Sequence, residues 1–169
     1  MSFSSSEPPA DRMLLVLIHR VSSAGRALRR LLADAAAAVG LTDAELLIVW
    51  LCAERGVVQG ELATAIGVSP ALMSGTVERL RQRELIEMQR STVDRRRQVW
   101  RATTAGQQLL DALRPSLAAL AEQLGTKISA AERTSARELC DRLASAAQAI
   151  ADPAPAAISE PQTKGSRAA

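Results

Sequence analysis

Residues 60–80 read GELATAIGVSPALMSGTVERL, two helix signals separated by a stop. Gly67 suits a helix end, because glycine enters the left-handed conformation without steric penalty. Ser69-Pro70 starts the next helix. Serine is a favoured N-cap, and proline fits the first helical position, where its missing N–H is not needed. Two short helices joined by Gly67-Val68-Ser69 describe a helix-turn-helix. Leu62, Ala63, Ile66, Val68, Leu72, Val77 and Leu80 are its expected internal positions. The second helix then turns Pro70, Ala71, Ser74, Gly75 and Arg79 outward. With Ser69 and Thr76 these are candidates to meet DNA, the N-terminal turns lying against base edges in a major groove. An ordinary helical hairpin carries the same punctuation. Gly75 costs about 1 kcal/mol in mid-helix relative to alanine, so it either permits closer approach to DNA or accommodates packing.

Downstream the period changes. Ile86 and Met88, then Trp100 and Ala102, alternate along two short segments, which predicts a small antiparallel hairpin with its tip near Thr92 to Arg95. Arg79, Arg81, Arg83, Arg90, Arg95, Arg96, Arg97 and Arg101 are opposed over this stretch only by Glu84, Glu87 and Asp94. Guanidinium groups on a thin loop can enter a narrow, electronegative minor groove or clamp phosphates bidentately. A triple arginine alone reads as a solvated loop; directly after a helix-turn-helix it reads as a wing. The expected fold is mainly α with a small two-stranded β wing, a winged helix-turn-helix over about 42–102. Arg90, Arg95, Arg96 and Arg97 join the DNA-contact candidates.

Working outward, a first helical pattern runs over about 11–39 and stops at Gly40. Thr42-Asp43-Ala44-Glu45 is a capping box, in which hydroxyl and carboxylate each satisfy an end N–H. The helix it opens stops at Gly56. Shorter helices follow from about Gly60 to Ile66 and from Ser69 to about Arg83. Helices resume at Thr103 or Thr104 and reach about Lys127. Ser129-Ala130-Ala131-Glu132 is a second capping box, opening a last helix to about Ala151. Residues 1–10 and the Pro- and Ala-rich tail 152–169 are expected to be poorly ordered.

The chain is 47% hydrophobic but only 2% aromatic, so its core must be Leu, Ala, Val and Ile. Small alanine-rich helices of this kind often complete a core by oligomerising. The net charge of +3 says little; its concentration between Arg79 and Arg101 says more. Cys52 and Cys140 fit no metal-ligand spacing and point to a reducing compartment. The apolar run Met13–Ile18 is too short to span a bilayer and no cleavage site follows it. A cytoplasmic protein without signal peptide or membrane anchor is expected. One histidine, no metal cluster, no Gly-rich phosphate loop and no nucleophile elbow imply no enzyme, no cofactor and no metal.

The segments Gly60–Ser69 and Val77–Leu80, the wing Asp94-Arg95-Arg96 and the exit Ala102-Thr103-Thr104-Ala105-Gly106 together resemble the MarR family of bacterial transcriptional regulators. By motif the resemblance covers roughly Thr42 to Leu110. It implies a homodimer on a palindromic operator, with helices of about 11–39 and 104–151 forming the dimer interface and half-sites about one helical turn apart. It implies repression relieved by a small-molecule effector. Residue by residue, it implies that Asp94 holds Arg96 while Arg96 reaches the minor groove, and that Arg79 contacts a phosphate. Departures are Gly75 where a longer polar or basic side chain is common, Glu84 in place of a helix-ending Gly, Met88 in place of a strand Arg, and Ala102 in place of Leu. Arg90 can replace the strand arginine from the same face, and Trp100 can fill the leucine's volume against Met88.

His19 reads either as a helix-face histidine without function or as part of an effector pocket; Trp50 reads as core or as pocket wall. Arg55, and Arg114 with Pro115, read as surface and helix-start features. Two rivals share the fold: a winged module used for protein contact, and a redox sensor using Cys52 or Cys140.

Overall fold

The computed structural model describes residues 9–90 and 97–151. They form α1 (Ala10–Ala38), α2 (Asp43–Glu54), α3 (Gln59–Ile66), α4 (Pro70–Gln82), β1 (Ile86–Arg90), β2 (Gln98–Ala102), α5 (Thr104–Gly125) and α6 (Ala130–Ala151). The fold is the expected one, mainly α with a small two-stranded hairpin, and the expected helix ends fall within about two residues of these bounds. Two compact units divide between Glu122 and Gln123. No single helix among the described residues is long and apolar enough to cross a membrane.

Local chemistry sets the helix limits. Thr42 and Glu45 form the reciprocal capping box at α2, and Ser69 Oγ accepts from the Leu72 N–H at α4. In the second unit, Ser129 and Glu132 exchange the same bonds at α6. Three helices stop alike, on a residue in the left-handed conformation: Gly40 after α1 (φ 70°), Gly67 after α3 (φ 77°) and Glu84 after α4 (φ 58°). The next residue's N–H closes each turn: Leu41 donates to the Ala36 carbonyl, Val68 to Ala63 and Leu85 to Leu80. Carbonyls left over at the helix ends are thereby satisfied. Glu84 carries a Cβ into a conformation that costs a non-glycine residue about 1–2 kcal/mol. Glu84→Gly is therefore expected to raise stability by about 1 kcal/mol, read as a higher unfolding midpoint in denaturant. An unchanged or lower midpoint would contradict strain at this turn.

The core lies under α4, where Met73, Val77 and Leu80 face Ile48, Val49, Leu62, Ile66 and Ile86 in one buried cluster. One expected core position is wrong. Leu72 is 66% exposed, whereas Met73 is fully buried. Residues 73, 77 and 80 repeat at the i, i+4, i+7 spacing of one helical stripe, and Leu72 is rotated about 100° from it.

The hairpin pairs Ile86 with Ala102, Met88 with Trp100 and Arg90 with Gln98. Trp100 is buried and Ala102 packs against the core, while Met88 is half exposed. A further bridge holds β2 from the other side: Val57 and Trp100 exchange N–H to carbonyl bonds at 3.0 and 2.8 Å. The hairpin root is thus fastened to the loop between α2 and α3. Pro115 lies inside α5, not at a helix start. It is exposed, where water can replace the helix bond that proline cannot make.

Candidate nucleic-acid interface

The inward stripe of α4 dictates what its other face shows. Ser69, Pro70, Ala71, Leu72, Ser74, Gly75 and Arg79 are exposed, and Thr76 is half-buried. Three of these side chains are pinned. Ser74 Oγ donates to the Pro70 carbonyl and accepts from Gln59 Nε2 at 2.7 Å, so the first residue of α3 fastens the two helices together. Thr76 Oγ1 donates to the Leu72 carbonyl and accepts from Arg79 Nη2. A Cβ on Gly75 would meet nothing within 4 Å except Arg79 Nη1, so packing does not require the glycine. Sequence reasoning missed Gln59 and Leu72. Gln59 carried no signal, and Leu72 is as apolar as its buried neighbour Met73.

The basic stretch is less available than its composition suggests. Arg83 donates to the carbonyls of Gly40 (2.7 Å) and Val39 (3.2 Å), capping the end of α1. Arg81 pairs with Glu78 at 2.7 Å, and the Arg81 guanidinium holds the Glu78 carboxyl at a pKa of about 2. Arg97 lies 3.8 Å from Glu61, which also takes Arg55 at 3.0 Å. All three groups are largely exposed, so these pairs are weak and exchangeable. Arg79 rests its Nε and Nη2 against Glu45 Oε1, each at 3.4 Å. Burial raises the Glu45 pKa, but bonds from the Thr42 backbone and hydroxyl, with Arg79, outweigh it and hold the carboxyl below its ordinary range. Arg90 is exposed on β1. Asp94, Arg95 and Arg96 lie outside the described residues, as does the expected hairpin tip.

Helix-turn-helix, hairpin and outward face thus occupy one continuous stretch, and a sequence model described as MarR family matches residues 39–97. Residues 39–97, which hold the helix-turn-helix and β1, are MarR-like in sequence. The MarR-type module is 37% identical over 75 residues to the HTH-type transcriptional repressor NicR of Pseudomonas putida, a match covering 44% of this chain and 48% of NicR. The match therefore spans about half of that repressor. In fold the chain is similar to the regulator BldR of Sulfolobus solfataricus, with a TM-score of 0.62 and 18% identity over 79% of this chain and 99% of that one. It is also similar to CouR of Rhodococcus jostii, solved with p-coumaroyl-CoA, with a TM-score of 0.58 and 25% identity over 90% and 99%.

Within the MarR-type module, Trp50 is 47% exposed and lines a cavity of about 260 Å³ with Leu46 and Leu47 of α2, Leu32 of α1, and Leu110 and Leu117 of α5. It is pocket wall, not core. Gln107, Asp111 and Arg114 edge an adjoining cleft that also contains Trp50, and Arg114 pairs with Asp111. His19 lies elsewhere, exposed on the N-terminal half of α1. Cys52 is buried, and burial pushes its thiol up to about 12, so it stays protonated at neutral pH and is a poor redox nucleophile. Cys140 is exposed on α6.

Proposed function

We propose that this chain is a transcriptional regulator that binds duplex DNA as a homodimer and acts as a repressor relieved by a small effector. One observation carries the reading. A Ser-capped α4 sinks Met73, Val77 and Leu80 into the core and displays Ser69, Pro70, Ala71, Leu72, Ser74, Gly75 and Arg79 to solvent, inside a MarR-family module. Its N-terminal turns suit a major groove. Ala71 and Leu72 offer apolar surface to thymine methyl groups. Arg90, Arg95, Arg96 and Arg97 supply the adjacent groove and backbone contacts, with Asp94 holding Arg96.

The partner in the dimer is a second copy. Along α1, Met13, Leu14, Leu15, Val16, Leu17 and Ile18 are each at least 36% exposed, an apolar patch that a soluble monomer rarely leaves in water. Helices α5 and α6 contribute to the same interface in this reading. The effector site is the Leu-lined cavity beside Trp50, which suits a small, largely apolar molecule; CouR, solved with p-coumaroyl-CoA, is a relative in fold with a bound ligand. Occupation of the cavity shifts the population toward a spacing of the two modules that fits the operator less well.

Salt titration of binding to duplex DNA tests the reading. Affinity is expected to fall steeply, by about 10³-fold or more between about 50 and 200 mM salt if six or more phosphates are contacted. A flat response, or no binding at low salt, would sink it in favour of a protein-contact module. Arg96→Ala is expected to weaken operator binding by about 1–3 kcal/mol, measured by fluorescence anisotropy; equal binding would remove Arg96 from the interface.

A further inference from the structure

Arg79, on the outward face of α4, makes three bonds to two neighbours. Its Nε and Nη2 both meet Glu45 Oε1 at 3.4 Å, and Nη2 also meets Thr76 Oγ1 at 3.2 Å. Glu45 cannot easily move. It is nine-tenths buried, and its other oxygen, Oε2, accepts from the Thr42 N–H and hydroxyl at the start of α2. The carboxylate therefore has two tasks, one per oxygen: capping α2 and holding Arg79. The guanidinium is laid back one turn toward the N-terminus of α4. Its remaining nitrogen, Nη1, stands 3.8 Å from where a Gly75 side chain would begin, and no side chain other than those of the adjoining residues comes within 4 Å of that point.

A side chain anchored this way is poorly suited to clamp a phosphate. Leaving Glu45 would strand a largely buried carboxylate, and staying beside it cancels most of the charge that would release counterions. It suits a different task. Resting on the proposed DNA-binding function, we propose that Arg79 is a specificity-determining residue that reads a base edge across the Gly75 gap, and that Glu45 is its positioning residue. Gly75 keeps the space clear, and Nη1 supplies the donor for a guanine or other acceptor edge.

The test uses the full-length protein, a duplex it enriches from a randomised pool, and a scrambled duplex of equal length and composition. Arg79→Gln is expected to lose about tenfold or more on the enriched duplex, little on the scrambled one, and to leave the salt slope unchanged. Glu45→Gln keeps an oxygen for the α2 cap but releases the arginine. It is expected to lose the same discrimination while its salt slope steepens by about one. Circular dichroism melts of both variants confirm folding. Equal losses on both duplexes with a shallower slope for Arg79→Gln would make Arg79 a phosphate contact and overturn the proposal. So would unchanged discrimination in either variant. A wild-type chain that enriches no duplex, or binds with no salt dependence, would instead refute DNA binding itself.

Discussion

Gly106→Ala is expected to destabilise the fold by about 3 kcal/mol, the upper end of the usual range for overpacking. For a domain of this size that lowers the thermal midpoint by about 6–12 °C, and a melt of wild type against variant measures it. A Cβ on Gly106 would stand 2.2 Å from the Leu85 carbonyl oxygen and 3.2 Å from its carbon. The obstacle is backbone, and it is fixed. The Leu85 carbonyl accepts from the Thr103 N–H at 3.1 Å, while the Thr103 hydroxyl donates to the Glu84 carbonyl and accepts from the Gly106 N–H. These bonds tie the start of α5 to the turn that ends α4, so relief means opening that junction. A variant as stable as wild type would show that the junction gives more readily than this network allows.

Met73→Ala is the second large effect, with an expected loss of about 2–5 kcal/mol for a fully buried methionine. Its neighbour is the control. Leu72→Ala removes a similar volume from a side chain that is 66% exposed and should change stability by no more than about 0.5 kcal/mol, while weakening contact with DNA. Urea unfolding of both variants decides the phase of α4. Comparable losses at both positions would mean that the outward face described above is wrong.

Other junctions fasten α4 to its neighbours. The end of α4 is fastened to the end of α1 through Arg83, and the start of α2 takes Arg29 of α1 on Asp43 and Arg79 of α4 on Glu45. Any tilt of α4 therefore disturbs α1 or the α2 cap. In the proposed dimer, a change in α1 reaches α4 through these bonds and not through a flexible linker.

Helix limits, hairpin and fold class were legible in the sequence because the groups that decide them are neighbours along the chain. Thr42 meets Glu45, Ser69 meets the Leu72 N–H, and Ser129 meets Glu132, each three residues away. The stops at Gly40 and Gly67 need only a residue that tolerates positive φ. The motif of Thr103 and Gly106 was visible as a pattern, but its reason was not, because the Leu85 carbonyl that forbids a side chain comes from another element. The same distance in sequence hid the arginines. Arg83 serves a carbonyl 43 residues earlier and Arg79 a carboxylate 34 residues earlier, so composition overstated the charge left unengaged. Burial was ambiguous too: Leu72 and Met73 are equally apolar, and only packing of α4 on its neighbours assigns one to the core and the other to solvent. The sequence by itself determined, to within about two residues, where each helix begins and ends, since capping and turn chemistry act within about five residues. Tertiary structure alone decided which face of α4 is presented and which arginines remain to present, since those outcomes depend on groups that meet only when the chain folds.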